Sequence, residues 1–416
     1  VPALAAIAVI LIIVLPPARR EAPDEPTADL RKRLDQLRSV PYTSITRDTV
    51  DVRVSGVTIH KPDKTYDGYH IYCSRTSPEV YLMDMSGQRV HTWSYPERDR
   101  RMWNHAVMRD NGDVMVVYNF RSIIWLDWES NLVREIMIPA HHDIALLPDG
   151  TFYTIEYSTE QHRGLRVRFP ALVRLTEAGH VIDSWSVYEH LDEIKRTFDQ
   201  RSFLDSILDE HVAAGDSLDI RDDIPGSFSV AKMGTEIVYD YFHMNTISIL
   251  PDTPLSRRSA VFQPGNLLIC FRNVNQIAIL DRATKEILWV WGEGELEWPH
   301  LPTMLESGNI LIYDNGVLRE YTRVLELNPV TEEIEWEYVA DPPESFYSPT
   351  KGSAQRLPNG NTFICDADNG RALEVTRDGE IVWEWLNPTS KKNRRVQIYR
   401  MMRLPPGAVE PLLTGP

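Results

Sequence analysis

The chain has 416 residues, 43% hydrophobic and 25% charged, a composition that supports a large buried core and excludes a disordered or fibrous protein. Its 44 Lys and Arg against 60 Asp and Glu leave a formal charge of -16, and no basic stripe offsets that acidity, so no nucleic-acid partner is expected. Cys73, Cys270 and Cys365 lack CxxC or Cys/His spacing, so neither a zinc site nor a cofactor is expected from them.

The first element is an uncharged apolar run, Ala3 to Leu15, ended by Pro16-Pro17 and flanked by Arg19 and Arg20. It is shorter than the roughly 20 residues that span a bilayer, but it is apolar on every side rather than along one stripe. Residues 1–18 are therefore expected to form a transmembrane or signal-anchor helix that ties the chain to a membrane. Residues 19–65 read as a linker, with a short charged helix over Thr27 to Arg38.

From residue 69 a loose unit recurs: a strand, a turn, an apolar strand, then two more strands ending in Trp. The turn appears as Arg109-Asp110-Asn111-Gly112-Asp113, Leu147-Pro148-Asp149-Gly150, Pro264-Gly265-Asn266, Glu306-Ser307-Gly308-Asn309 and Leu357-Pro358-Asn359-Gly360-Asn361. Each sits between apolar runs, as a hairpin turn does. The closing member appears as MDMSGQRVHTW, LTEAGHVIDSW, LDRATKEILWVW, LNPVTEEIEWEY and VTRDGEIVWEW. Four-stranded units in series predict an all-β fold, a β-propeller.

Inner strands are expected near Trp103, His142, His243, His300 and Ser353. The lone strand within Val396 to Leu404 joins strands from residues 69–93 as a sixth blade that closes the ring. The expected six-bladed β-propeller covers residues 66–408. Between Trp185 and Tyr239 the period breaks, and Leu191, Ile194, Phe198, Phe203, Leu204 and Ile207 follow helical spacing. Residues 187–235 are expected as a helical insertion on one rim.

His105, His142, His243 and His300 share one phase of the repeat, at or just before the inner strand. Inner strands line a propeller's central channel, so these imidazoles are expected to converge at one mouth. One such histidine alone reads as a hydrogen-bonded structural residue; four in phase point to a site. His141 is expected to alternate away from it. Asn245 and Arg272 add neutral and cationic donors, a set suited to an anion. Clustered histidines also suit copper or zinc, but the adjacent guanidinium opposes a metal.

The strings DGYHIY, HHDIALLPDG, DYFHMNTISI, NLLICFRNVNQIAILDRATKEILWVWG, WPHLPTMLESGNILIYDNG and RLPNGNTFI resemble bacterial arylsulfotransferases, over about residues 66–405. That family consists of six-bladed propellers that move a sulfuryl group between phenols without a nucleotide donor or other cofactor. The most specific matches are His243 to Asn245 with Arg272, and the His300 segment ending in Tyr313-Asp314-Asn315-Gly316. The resemblance implies that His300 is the nucleophile and that His142, His243, Asn245 and Arg272 hold the sulfate; His105, in the same phase of the repeat, is expected among the substrate-binding groups. His142 would supply a proton to the departing phenolate. A phenolic sulfate donor and a phenol acceptor are then the expected partners.

Two other readings stay open. One is a non-catalytic propeller that serves as accessory subunit of a membrane protein complex, since fold does not fix function. The other is a quinoprotein-like dehydrogenase, because LDRATKEILWVWG is similar to a Trp-docking repeat, although no calcium-ligand cluster accompanies it. The basic residues Arg19, Arg20, Arg31, Lys32 and Arg33 favour the cytoplasm for their side of the apolar run, yet large domains translocate regardless of such charges. The propeller is expected on the periplasmic side of the inner membrane.

Overall fold

The glycine turns close hairpins by one repeated device. In each, the residue before the turn both donates to and accepts from it: Arg109 N–H bonds the Asp113 carbonyl at 2.8 Å while Gly112 N–H returns to Arg109 at 2.9 Å, and Leu147, Leu305 and Leu357 repeat the first-to-last bond. Gly112 takes φ 86°, a left-handed conformation that costs a side-chain-bearing residue strain. The computed structural model describes residues 53–96, 103–198, 229–233 and 236–414, with Thr46 and Asp51.

These hairpins build six sheets, each of at least four strands and antiparallel but for one pairing in the third blade. The first blade holds Tyr69–Cys73, Glu79–Met83 and Arg89–Ser94, and Met401–Leu404 pairs with Tyr69–Cys73 as its inner strand. Inner strands of the next five are Trp103–Met108, His141–Leu146, Met244–Ile249, His300–Met304 and Ser353–Arg356. Successive inner strands are spatial neighbours, and Met401–Leu404 contacts the sixth blade, so the ring is closed. The expected six-bladed propeller is the fold. Gly56–His60, within the stretch read as linker, pairs with Ile381–Leu386 as a fifth, outermost strand of the sixth blade.

The closing tryptophans Trp93, Trp185, Trp383 and Trp385 are almost fully enclosed where blades face one another, as is Trp103 of an inner strand. Trp383 of the sixth blade stacks on His70 of the first, ring centroids 4.4 Å apart, and donates to the Met85 carbonyl at 3.0 Å. Arg403 of the closing strand donates to His70 Nε2 at 2.9 Å and pairs with Glu374 at 3.1 Å, so the two ends of the ring are joined by charge as well as by backbone.

The described part of the insertion holds strands as well as the expected helix. It has one short helix, Leu191–Thr197, whose Leu191 and Ile194 pack with Phe198 into the core between the third and fourth blades. It then has a hairpin, Ser229–Met233 and Glu236–Asp240, which pairs alongside the long third-blade strand Leu165–Leu175. Phe203, Leu204 and Ile207 lie outside the described residues, as do the apolar run of residues 1–18 and the charged segment Thr27 to Arg38. Among the described residues no helix is long and apolar enough to cross a membrane. The three cysteines are buried and free.

Candidate active site

The histidine-bearing inner strands share an irregularity that the other two lack. At the start of each, the register slips against its neighbour: between Trp103 and Ala106, between His141 and Ile144, between Met244 and Thr246, and between His300 and Thr303. The inner strands Ser353–Arg356 and Met401–Leu404 pair without a slip. A bulge inserts residues into a strand and re-aims side chains out of simple alternation. His142 and His243 take left-handed φ values of 63° and 47°, as does Leu301 beside His300, at 41°. Such backbone costs energy and is held by its surroundings.

His300 is buried, and its ring is fixed from one side. Nδ1 lies 3.1 Å from the Trp298 carbonyl and 2.7 Å from Asn315 Oδ1. The Asn315 amide nitrogen donates to the Ser348 and Lys351 carbonyls, so its oxygen is what faces the imidazole. Both neighbours of Nδ1 are acceptors, which puts the ring proton on Nδ1 and leaves a lone pair on Nε2. Nε2 is buried without a hydrogen-bond partner among the described residues. Burial, then the nearby Arg272, push the His300 pKa down to about 3, so the ring is neutral near pH 7.

His142 and His243 meet directly, Nε2 to Nε2 at 2.9 Å. Nδ1 of His243 sits 2.7 Å from Asp240 Oδ2, and Nδ1 of His142 bonds the Tyr399 hydroxyl. Burial followed by Arg272 lowers His243 to about 4, while burial followed by His141 and His243 holds His142 well below the usual imidazole value. Burial raises the Asp240 carboxyl, but His243, Arg168 and Arg272 outweigh it and leave the carboxyl below its ordinary value. A neutral pair of imidazoles against an ionised carboxylate follows.

Arg272 lies next in sequence to the strand Leu267–Phe271. Its Nε donates to Asn273 at 2.9 Å, and its guanidinium stacks 4.6 Å above the Trp298 ring. It depresses the pKa of His141, His142, His243 and His300, so its charge reaches all four rings. The structure thus gathers His300, His142, His243 and Arg272.

Two expected members stand apart. Asn245 donates to the Pro299 carbonyl at 2.9 Å and accepts from Thr246, so it braces the chain entering His300. His105 lies 3.6 Å from Asp143, which also binds Arg400 at 2.8 Å, an ionic group beside the imidazole cluster. His141, expected to alternate away, is instead in the cluster. Its ring centroid is 3.6 Å from that of His142 and 4.1 Å from Phe120, because the slip in register breaks the alternation. Asp240, Tyr399 and Asn315 join the site beyond the residues expected from sequence. Asp240, three residues before His243, was the one readable signal, since that spacing lets a carboxylate reach an imidazole. Among the described residues no His/Cys/Asp/Glu group is arranged to hold a metal ion.

Several solved structures are similar in outline. A Bacteroides caccae protein of unknown function is 12% identical over 80% of this chain and 98% of its own, with a TM-score of 0.48. Kuenenia stuttgartiensis hydrazine synthase is 11% identical over 81% of each chain at 0.45. A catalytically inactive Staphylococcus aureus virginiamycin B lyase with quinupristin is 10% identical over 82% of this chain and 87% of its own, at 0.41. At that distance nothing chemical passes from them to this chain. Among curated proteins none matches the sequence. Residues 104–388, more than half of the chain and the stretch that carries His105, His142, His243, Arg272 and His300, match the arylsulfotransferase (ASST) family, and the chain belongs to it.

Proposed function

We propose that the protein transfers a sulfuryl group from an aryl sulfate to a phenol through a sulfo-histidine at His300. The observation that carries this reading is the His300 tautomer: a neutral, buried ring with its proton locked on Nδ1 and its Nε2 lone pair unshared among the described residues. A nucleophile of that kind forms a covalent intermediate and splits one transfer into two steps. In the first, Nε2 bonds sulfur as the S–O bond to the donor breaks, its electron pair leaving with the phenolate. As positive charge grows on the ring, the carbonyl oxygens of Asn315 and Trp298 on Nδ1–H stabilise it. Arg272 offsets the charge of the sulfate oxygens. In the second step the acceptor phenol attacks sulfur and the electron pair returns to Nε2.

The test is a chromogenic aryl sulfate with and without added phenol. The wild type releases the first phenol in a burst and turns over with the acceptor, while His300→Ala loses the burst and the turnover together. Arg272→Lys slows both while the fold is kept, since a point charge replaces a planar fork. An active His300→Ala variant overturns the reading, and an inert wild type favours a non-catalytic accessory subunit. With this function we propose a membrane-anchored propeller on the periplasmic side. Protease added to intact spheroplasts then digests it; complete protection excludes that location.

A further inference from the structure

We propose that Trp298 is a positioning residue that holds Arg272 and His300 in fixed relation to each other; this rests on the sulfuryl-transfer reading above. The residue touches both groups, each with a different part of itself. Its backbone carbonyl lies 3.1 Å from His300 Nδ1, and its ring carries the Arg272 guanidinium 4.6 Å above the centroid. An aromatic face attracts a guanidinium and aligns its plane without cancelling its charge, which stays available to an anion.

The backbone around Trp298 is built to keep it there. Trp298 takes φ 56°, an outlying conformation for a bulky aromatic residue and one that only its surroundings can hold. Its N–H donates to Asn275 Oδ1 at 2.8 Å, and Asn275 ends the short turn Arg272–Val274 that begins with Arg272 itself. The contacts therefore close a loop, from Arg272 along the chain to Asn275, across to the Trp298 N–H, and from the Trp298 ring back to the guanidinium. The next carbonyl, that of Pro299, accepts from Asn245 at 2.9 Å. The fourth blade thus grips the entry to the fifth-blade nucleophile at two successive residues. Trp298 also packs with Val317 and Leu318, which closely follow Asn315, the other partner of His300 Nδ1.

A tryptophan ring beside such a site has one rival task, stacking on the aryl group of the donor, and kinetics separate the two. The experiment measures the burst rate at saturation and KM with 4-nitrophenyl sulfate and with 2-naphthyl sulfate, in wild type, Trp298→Leu, Trp298→Phe, Arg272→Lys and the double variant of Trp298→Leu with Arg272→Lys. Trp298→Leu is expected to lower the saturated burst rate about tenfold, by the same factor with both donors, the scale of a desolvated cation–π contact. Trp298→Phe keeps a π face and regains most of that rate. The double variant is little slower than Arg272→Lys, because a lysine cannot lie flat on the ring and the contact is already lost. Additive losses, a Phe variant as slow as the Leu variant, or a loss confined to KM and larger for the naphthyl donor overturn the positioning role while wild-type transfer stands. A wild type inert towards both donors overturns the sulfuryl-transfer reading and this inference with it. Should Trp298→Leu fail to fold, Asn275→Gly decides: glycine takes the Asn275 φ of 57° freely but offers the Trp298 N–H no acceptor. That variant is expected to slow the burst, and to add little to the loss in Arg272→Lys; an unchanged burst overturns the proposal.

Discussion

A single side-chain amide sets the tautomer of His300. Asn315 is buried, its nitrogen spent on the Ser348 and Lys351 carbonyls and its oxygen on His300 Nδ1. Removing it leaves the Trp298 carbonyl as the remaining partner of Nδ1 and lets the ring turn. Asn315→Ala is therefore expected to lower the rate of His300 sulfation by about 10- to 100-fold, the scale on which second partners of a functional imidazole act. Rapid-quench measurement of the burst checks it; a burst at the wild-type rate would show that Trp298 alone holds the ring. The sequence displayed His300 and, at the end of the next strand, the Tyr313-Asp314-Asn315-Gly316 string, but not that the two meet. That contact depends on the hairpin pairing His300 with Tyr313, which brings Asn315 back across the strand.

The blades were legible because each carries its own marks, a glycine turn and a closing Trp, repeated at a steady period. The slips at the start of the histidine strands left no such mark, since any residue type can occupy a bulge. Alternation therefore misplaced His141, and the identical phase of His105 concealed that its neighbours differ. In the second blade the re-aimed imidazole meets Asp143 and Arg400, whereas in the third and fourth blades it meets another imidazole. The insertion misled in another way: helical spacing over Leu191 to Phe198 is real, but the part that reaches the site is a hairpin, and Asp240 at its end follows from pairing with a neighbouring strand. Tyr399 lies between repeat marks, in the lone closing segment, where no periodic signal assigns it an orientation.

Across the whole molecule, burial of neutral imidazoles makes stability depend on acid. His70, His105, His141 and His142 are held well below the ordinary value of 6.5, His243 at about 4 and His300 at about 3, burial being the first cause for each. The unfolded chain binds these protons below pH 6.5 while the folded chain does not, so stability falls as pH drops from about 6.5 towards 4. Each such group contributes about 1.4 kcal/mol per pH unit in that window. Asp366, raised to about 6 mainly by burial, and Glu156, also raised by burial, act in the opposite sense but are two groups against six. Thermal unfolding from pH 8 to 4 is expected to show a falling midpoint below pH 6.5; a flat profile would mean that the rings are charged in the fold. The closed ring has another consequence, one of timing. Tyr399 stands two residues ahead of the strand Met401–Leu404, and it is 257 residues from His142, to which it bonds. The nascent chain can complete five blades and hold His300, Arg272 and Asp240 in place while the imidazole cluster still lacks its Tyr399 side. That wall arrives only with the last strand, so an unfinished or reopened propeller leaves His142 Nδ1 without its hydroxyl partner.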